Sequence, residues 1–154
     1  MKRLKRNFCL LLLLVVGMVG MTGCAKREAV TVSEFNEVME AAGYEIVDAS
    51  GQLPGNVAKQ ISIALKEDYQ VEFYVFVDTE TAVYSFNKNR DLFEDNNGSY
   101  RTQVSKSIGN YSYFCLTCND KIYLLSRVED TMIYVVADAD YKDDITAMLK
   151  KLGY

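Results

Sequence analysis

Polar and apolar residues alternate most cleanly between Gln70 and Val77. Val71, Phe73, Val75 and Val77 fall on one side of an extended chain, and Tyr74 and Phe76 fall on the other. Apolar side chains on both sides predict a strand with both faces covered. Upstream, Phe35, Val38, Met39 and Ala42 recur at helical spacing behind Thr31-Val32-Ser33-Glu34, and Gly43 follows. The threonine and the glutamate three residues later form a capping box, so a helix is predicted over 32–43. Asp78 and Thr79 open a second helix whose inward stripe is Ala82, Val83, Phe86, Arg90 (by its stem) and Phe93. A third begins near Asp140 and turns Ile145, Met148, Leu149 and Leu152 inward.

The remaining elements are shorter. Tyr44–Val47 and Met132–Ala137 are predicted strands, and 100–106 with 111–117 are predicted to form a hairpin around Ile108-Gly109-Asn110. Two stretches fit either period. The alternation of Ile61, Ile63 and Leu65 favours a strand over 60–66. Lys121–Glu129 fits a strand or a short helix capped by Asn119 or Asp120. The resulting order predicts an α+β fold: a single two-layer sandwich, a mostly antiparallel sheet with helices packed on one face.

The first 24 residues follow different rules. A basic start, Met1-Lys2-Arg3-Leu4-Lys5-Arg6, precedes an apolar run from Cys9 to Met21 that is 13 residues long and contains Gly17 and Gly20. A spanning helix needs about 20 apolar residues, so this run reads instead as a secretory signal. It ends in Met21-Thr22-Gly23-Cys24, which resembles the lipobox of bacterial lipoproteins, with Met21 where leucine is more usual. With its size and layout, the chain resembles the small lipoproteins of Gram-positive-type bacteria. The residues from Cys24 onward read as a short polar tether over 24–30 and, by their length, a single domain over 31–154, and the resemblance implies removal of residues 1–23 and acylation of Cys24. It also implies a location at the cell membrane facing away from the cytoplasm, with the lipid bilayer as partner through the acylated Cys24.

Processing would change the charge. The leader holds four of the 17 basic residues and none of the 21 acidic ones, so 13 would face 21, a net charge of −8. Such a domain has no electrostatic footprint for nucleic acid, and anionic head groups repel it.

Candidate chemistry is sparse. Cys115-Leu116-Thr117-Cys118 is a C-x-x-C pair, which at a helix start suits thiol–disulfide exchange. Cys115 also sits in an alternating strand pattern, where it reads as a small buried hydrophobe. Residues three apart in one regular strand point to opposite faces, so a bridge would need a turn at Leu116-Thr117. The chain has no histidine, which excludes Ser-His-Asp and Cys-His catalysis and the common zinc triads. No phosphate-binding or dinucleotide-binding glycine motif occurs, and no cofactor or metal is expected. The acids of Asp138–Asp144 read as a helix start rather than a calcium loop. Eleven tyrosines and no tryptophan are the remaining peculiarity, and tyrosine serves both sheet cores and contact surfaces. The expected function is a non-catalytic binding or interaction module of the cell envelope, its partner an envelope protein or glycan. The alternative is a thiol–disulfide redox protein using Cys115 and Cys118.

Overall fold

A computed structural model describes residues 26–95 and 101–154. The leader and Cys24 lie outside the described residues. Helix α1 spans Val32–Ala41, followed by strands β1 (Glu45–Asp48), β2 (Ala58–Leu65) and β3 (Gln70–Phe76) and helix α2 (Thr79–Glu94). Strands β4 (Thr102–Ile108), β5 (Tyr111–Cys118), β6 (Lys121–Val128) and β7 (Thr131–Asp138) come next, then a 3₁₀ turn and helix α3 (Lys142–Lys151).

All seven strands form one antiparallel sheet in the order β1-β2-β3-β7-β6-β5-β4. Two meanders, β1–β3 and β4–β7, meet where β3 pairs with β7, which sets Phe73 opposite Ile133 and Glu72 opposite Tyr134. The α+β class and the antiparallel sheet are those the sequence predicts.

The helices divide between the faces. Phe35 and Met39 of α1 and Ile145, Met148 and Leu149 of α3 bury against Val71, Phe73, Cys115, Leu124, Ile133 and Val135 on the first face. Ala82, Phe86 and Phe93 of α2 bury against the second, on Phe114, Leu116, Cys118, Leu125 and Met132. The expected placement of every helix on one face is corrected here. β5 and β6 carry large apolar residues on both sides, and a sheet that is apolar on both sides needs a cover on both.

Local signals act where expected. The Thr31 hydroxyl accepts from the Glu34 N–H, and the Glu34 carboxylate accepts from the Thr31 N–H at 2.7 Å. The Asp78 carboxylate accepts from the Thr81 N–H at 2.8 Å and caps α2. Within α2, Val83 and Arg90 lie outside the buried stripe; Arg90 pairs with Asp91 at 2.9 Å instead. The ambiguous stretch 121–129 is strand β6 with no helix. Cys118 pairs with Lys121 across a two-residue turn in which Asn119 and Asp120 both take positive φ, 51° and 57°. Asn and Asp are the side chains that best tolerate this geometry, which matches the twist of a hairpin.

Candidate functional site

The sulfurs of Cys115 and Cys118 are both buried and unbridged. Cys115 packs in the first-face core and Cys118 in the second-face core beneath α2. The expected redox or disulfide pair is therefore not a pair in space. β5 continues unbroken through Cys118, so the two side chains leave opposite sides of the sheet.

The second face offers a different site. Helix α2 lies over β5–β7 and the Phe76 end of β3 and leaves the β1–β2 side of that face half covered. Glu72 stands at the boundary, half-buried on β3, with Tyr134 beside it on β7 and Tyr74 two residues along the same strand. The Tyr74 hydroxyl donates to Glu72, and the Gln70 amide nitrogen donates to Glu72 Oε1 at 2.7 Å. The Tyr74 ring stacks on Phe76, with centroids 5.8 Å apart. Behind Tyr134, the Phe93 ring of α2 packs 5.2 Å from it and 5.1 Å from Tyr123.

Glu72, Tyr74, Phe76 and Tyr134 line a cleft of about 350 Å³ closed on its other flank by Ser85 and Asn89 of α2 and by Leu53 and Val57. A shallower depression of about 560 Å³ runs on from the same Glu72 and Tyr134 toward Lys66 and Tyr69. Glu72 thus sits at the centre of a continuous groove. Burial, and then the Glu72 hydrogen bond, raises the Tyr74 phenol pKa well above its ordinary value; burial, and then the Glu72 charge, raises that of Tyr134. Both phenols remain neutral donors at physiological pH. The groove therefore combines one carboxylate acceptor, two phenolic hydroxyls, an amide and aromatic edges. That set grips hydroxyl-bearing or cationic ligands by hydrogen bonds and ring contact.

The other tyrosines divide between core and surface. Tyr44, Tyr69, Tyr111 and Tyr154 are buried, whereas Tyr84 on α2 is 64% exposed. The acids near Asp138 take ordinary structural roles. Asp138 accepts from Lys121 at 2.7 Å, and Asp143 and Asp144 lie in the first turn of α3, where the helix dipole favours them.

Sequence reasoning passed over Glu72. Its signal was the one charge inside the Gln70–Val77 alternation, on the side that carries Tyr74 and Phe76. A charge on the covered side of a strand needs a polar partner or a ligand.

No family model matches the chain, and no curated protein matches it. A solved structure of a GTP binding regulator from Thermotoga maritima is similar to it with a TM-score of 0.45 and 15% identity over 77% of this chain and 84% of that chain. A likeness of that size assigns no function.

Proposed function

We propose that the chain is a membrane-anchored extracytoplasmic lipoprotein, acylated on Cys24, whose domain is a non-catalytic binding module of the cell envelope. The leader and its Met21-Thr22-Gly23-Cys24 end support the anchor. The observation that carries the binding role is the half-covered second face, where Glu72, Tyr74 and Tyr134 converge in an open groove. Of the two expected partners, the groove favours a glycan. A carboxylate, an amide and ring edges around a narrow cleft match sugar hydroxyls better than they match a broad protein surface.

The test uses the isotope-labelled domain from Ala25 onward, titrated with soluble cell-wall glycan fragments and followed by amide NMR. Saturable shifts confined to 70–76, 85–89 and 131–136, lost in Glu72→Gln, are expected. Shifts scattered over the surface, or no shifts at all, would remove the glycan. A photo-crosslinker placed at Asn89 would then capture an envelope protein if the groove serves a protein instead.

A further inference from the structure

The segment read from the sequence as a short polar tether is bound to the domain along its described part. Asn110, in the β4–β5 turn, grips the backbone of Arg27 from both sides. Its Oδ1 accepts from the Arg27 N–H at 3.1 Å, and its Nδ2 donates to the Arg27 carbonyl at 2.7 Å. The Arg27 guanidinium lies 3.5 Å above the Tyr111 ring and donates to the Gly153 carbonyl at 2.9 Å, just past the end of α3. Lys26 pairs with Glu129 at 2.5 Å, and Ala29 and Val30 pack on the first-face core.

Glu129 belongs to the same cluster. It takes a left-handed φ of 53°, uncommon for its type. Its N–H donates to the Asn110 carbonyl at 3.0 Å, and its own carbonyl accepts from Arg127 at 2.8 Å. Two adjacent hairpin turns and the end of α3 thus converge on two residues of the supposed leash.

We infer that Lys26–Val30 is a clamp that orients the domain on the bilayer, with the sheet end carrying Asn110, Glu129 and Gly153 facing the lipid. This rests on the proposed acylation of Cys24. Cys24 is two residues from Lys26, a reach of at most ~7 Å, so an acylated Cys24 holds this end of the sheet at the head groups. Ile108, 59% exposed, sits beside the turn and meets the interface first. Strands of eight residues put the far end of the sheet ~27 Å away. That end carries the β2–β3 turn with Glu67 and Asp68, the β5–β6 turn with Asp120, and Asp140. Hydrogen bonds from Tyr141 to Asp68 and from Ala139 to Asp120 hold it together. Glu67, Asp68, Asp120 and Asp140 are thereby turned away from anionic lipid, while Glu129 and Asp130 at the near end are paired with Lys26 and Lys59.

The test takes the full-length protein purified from membranes, its Cys24 peptide weighed for acyl mass, and reconstitutes it in vesicles holding a head-group quencher. A fluorophore is placed at Ser107→Cys near the clamp or at Glu67→Cys at the far end; the native thiols of the domain are buried. Because the ends are so far apart, the Ser107 label is expected to be quenched about threefold more than the Glu67 label. The difference is expected to collapse in Arg27→Ala/Asn110→Ala, which removes both the Asn110 grip on the backbone and the guanidinium contacts, while the protein stays on the vesicles. Equal quenching in the acylated native protein overturns the orientation alone. A difference that survives the double substitution overturns the clamp as its cause. A Cys24 peptide without acyl mass overturns the lipoprotein reading, and the orientation with it.

Discussion

The two faces of this sheet are made by the same strands and finished differently. On the first face α1 and α3 both pack into one core, and Phe73 is sealed between Phe35, stacked at 4.8 Å, and Tyr154, edge-on at 6.4 Å. On the second face α2 works alone. Its Phe86 and Phe93 help seal Phe76, Phe114 and Leu125, and it stops short of β1 and β2, where Val47 remains 38% exposed and Ile63 half-buried. The first face is finished for stability. The second is finished only as far as the groove, and the residues at its boundary are the polar and aromatic ones suited to contact.

The largest effect that would sharpen this contrast is Phe73→Ala. A fully sealed ring should cost about 3–5 kcal/mol, and Ile63→Ala on the open side only about 1 kcal/mol, in denaturant unfolding. Comparable losses at the two positions would mean that the second face is closed in solution. Next come the cysteines. Cys115→Ala and Cys118→Ala should each destabilise by about 1 kcal/mol and add within ~0.5 kcal/mol in the double variant, because they pack in separate cores. Neither thiol should take up alkylating reagent until the protein unfolds. Strong coupling, or rapid native labelling, would restore the pair.

Alkali tests both faces together. Burial raises the phenol pKa values of Tyr44 and Tyr154 on the first face and Tyr74 on the second, and a hydrogen bond to Asp68 pushes Tyr141 up to about 12. Folded values above the unfolded ~10 mean that this stabilisation is complete below pH ~10 and disappears as pH rises through the folded values. Phenolate absorbance from Tyr44, Tyr154 and Tyr74 should therefore appear in step with unfolding. A separate early phase from Tyr74 would show the groove to be wetter than it is drawn. The smallest effect is Glu72→Gln, which should leave stability within about 0.5 kcal/mol, since the exposed flank of the groove can rehydrate, while removing ligand shifts.

Much of the architecture was readable because it is written locally. The Thr31 capping box, the Asp78 cap and the alternation through β3 each follow from a few neighbouring side chains. β6 was not readable by period. It lies inside the sheet between β5 and β7, and its run Ile122-Tyr123-Leu124-Leu125 is apolar on both sides, which hides the alternation of a strand. The clue was in the preceding turn, where Asn119-Asp120 serves a hairpin as readily as a helix cap. The groove and the clamp were invisible for another reason. Glu72 meets Tyr134 only through the β3–β7 pairing, and Arg27 meets Asn110 only after the second meander has formed.

The position of Tyr154 has a consequence for the order in which the chain can fold. Its hydroxyl bonds to Thr131 and its ring closes over Phe73, so the first-face core spans both meanders. A chain delivered N-terminus first holds β3 without its β7 neighbour, and Phe73 without its lid, until the last turn of α3 arrives. Native pairing is then late and long-range, a slow route during which the edge of β3 lies open to wrong strands. The Lys26–Val30 segment, gripped by the late-forming β4–β5 and β6–β7 turns and by the end of α3, would be among the last parts to settle.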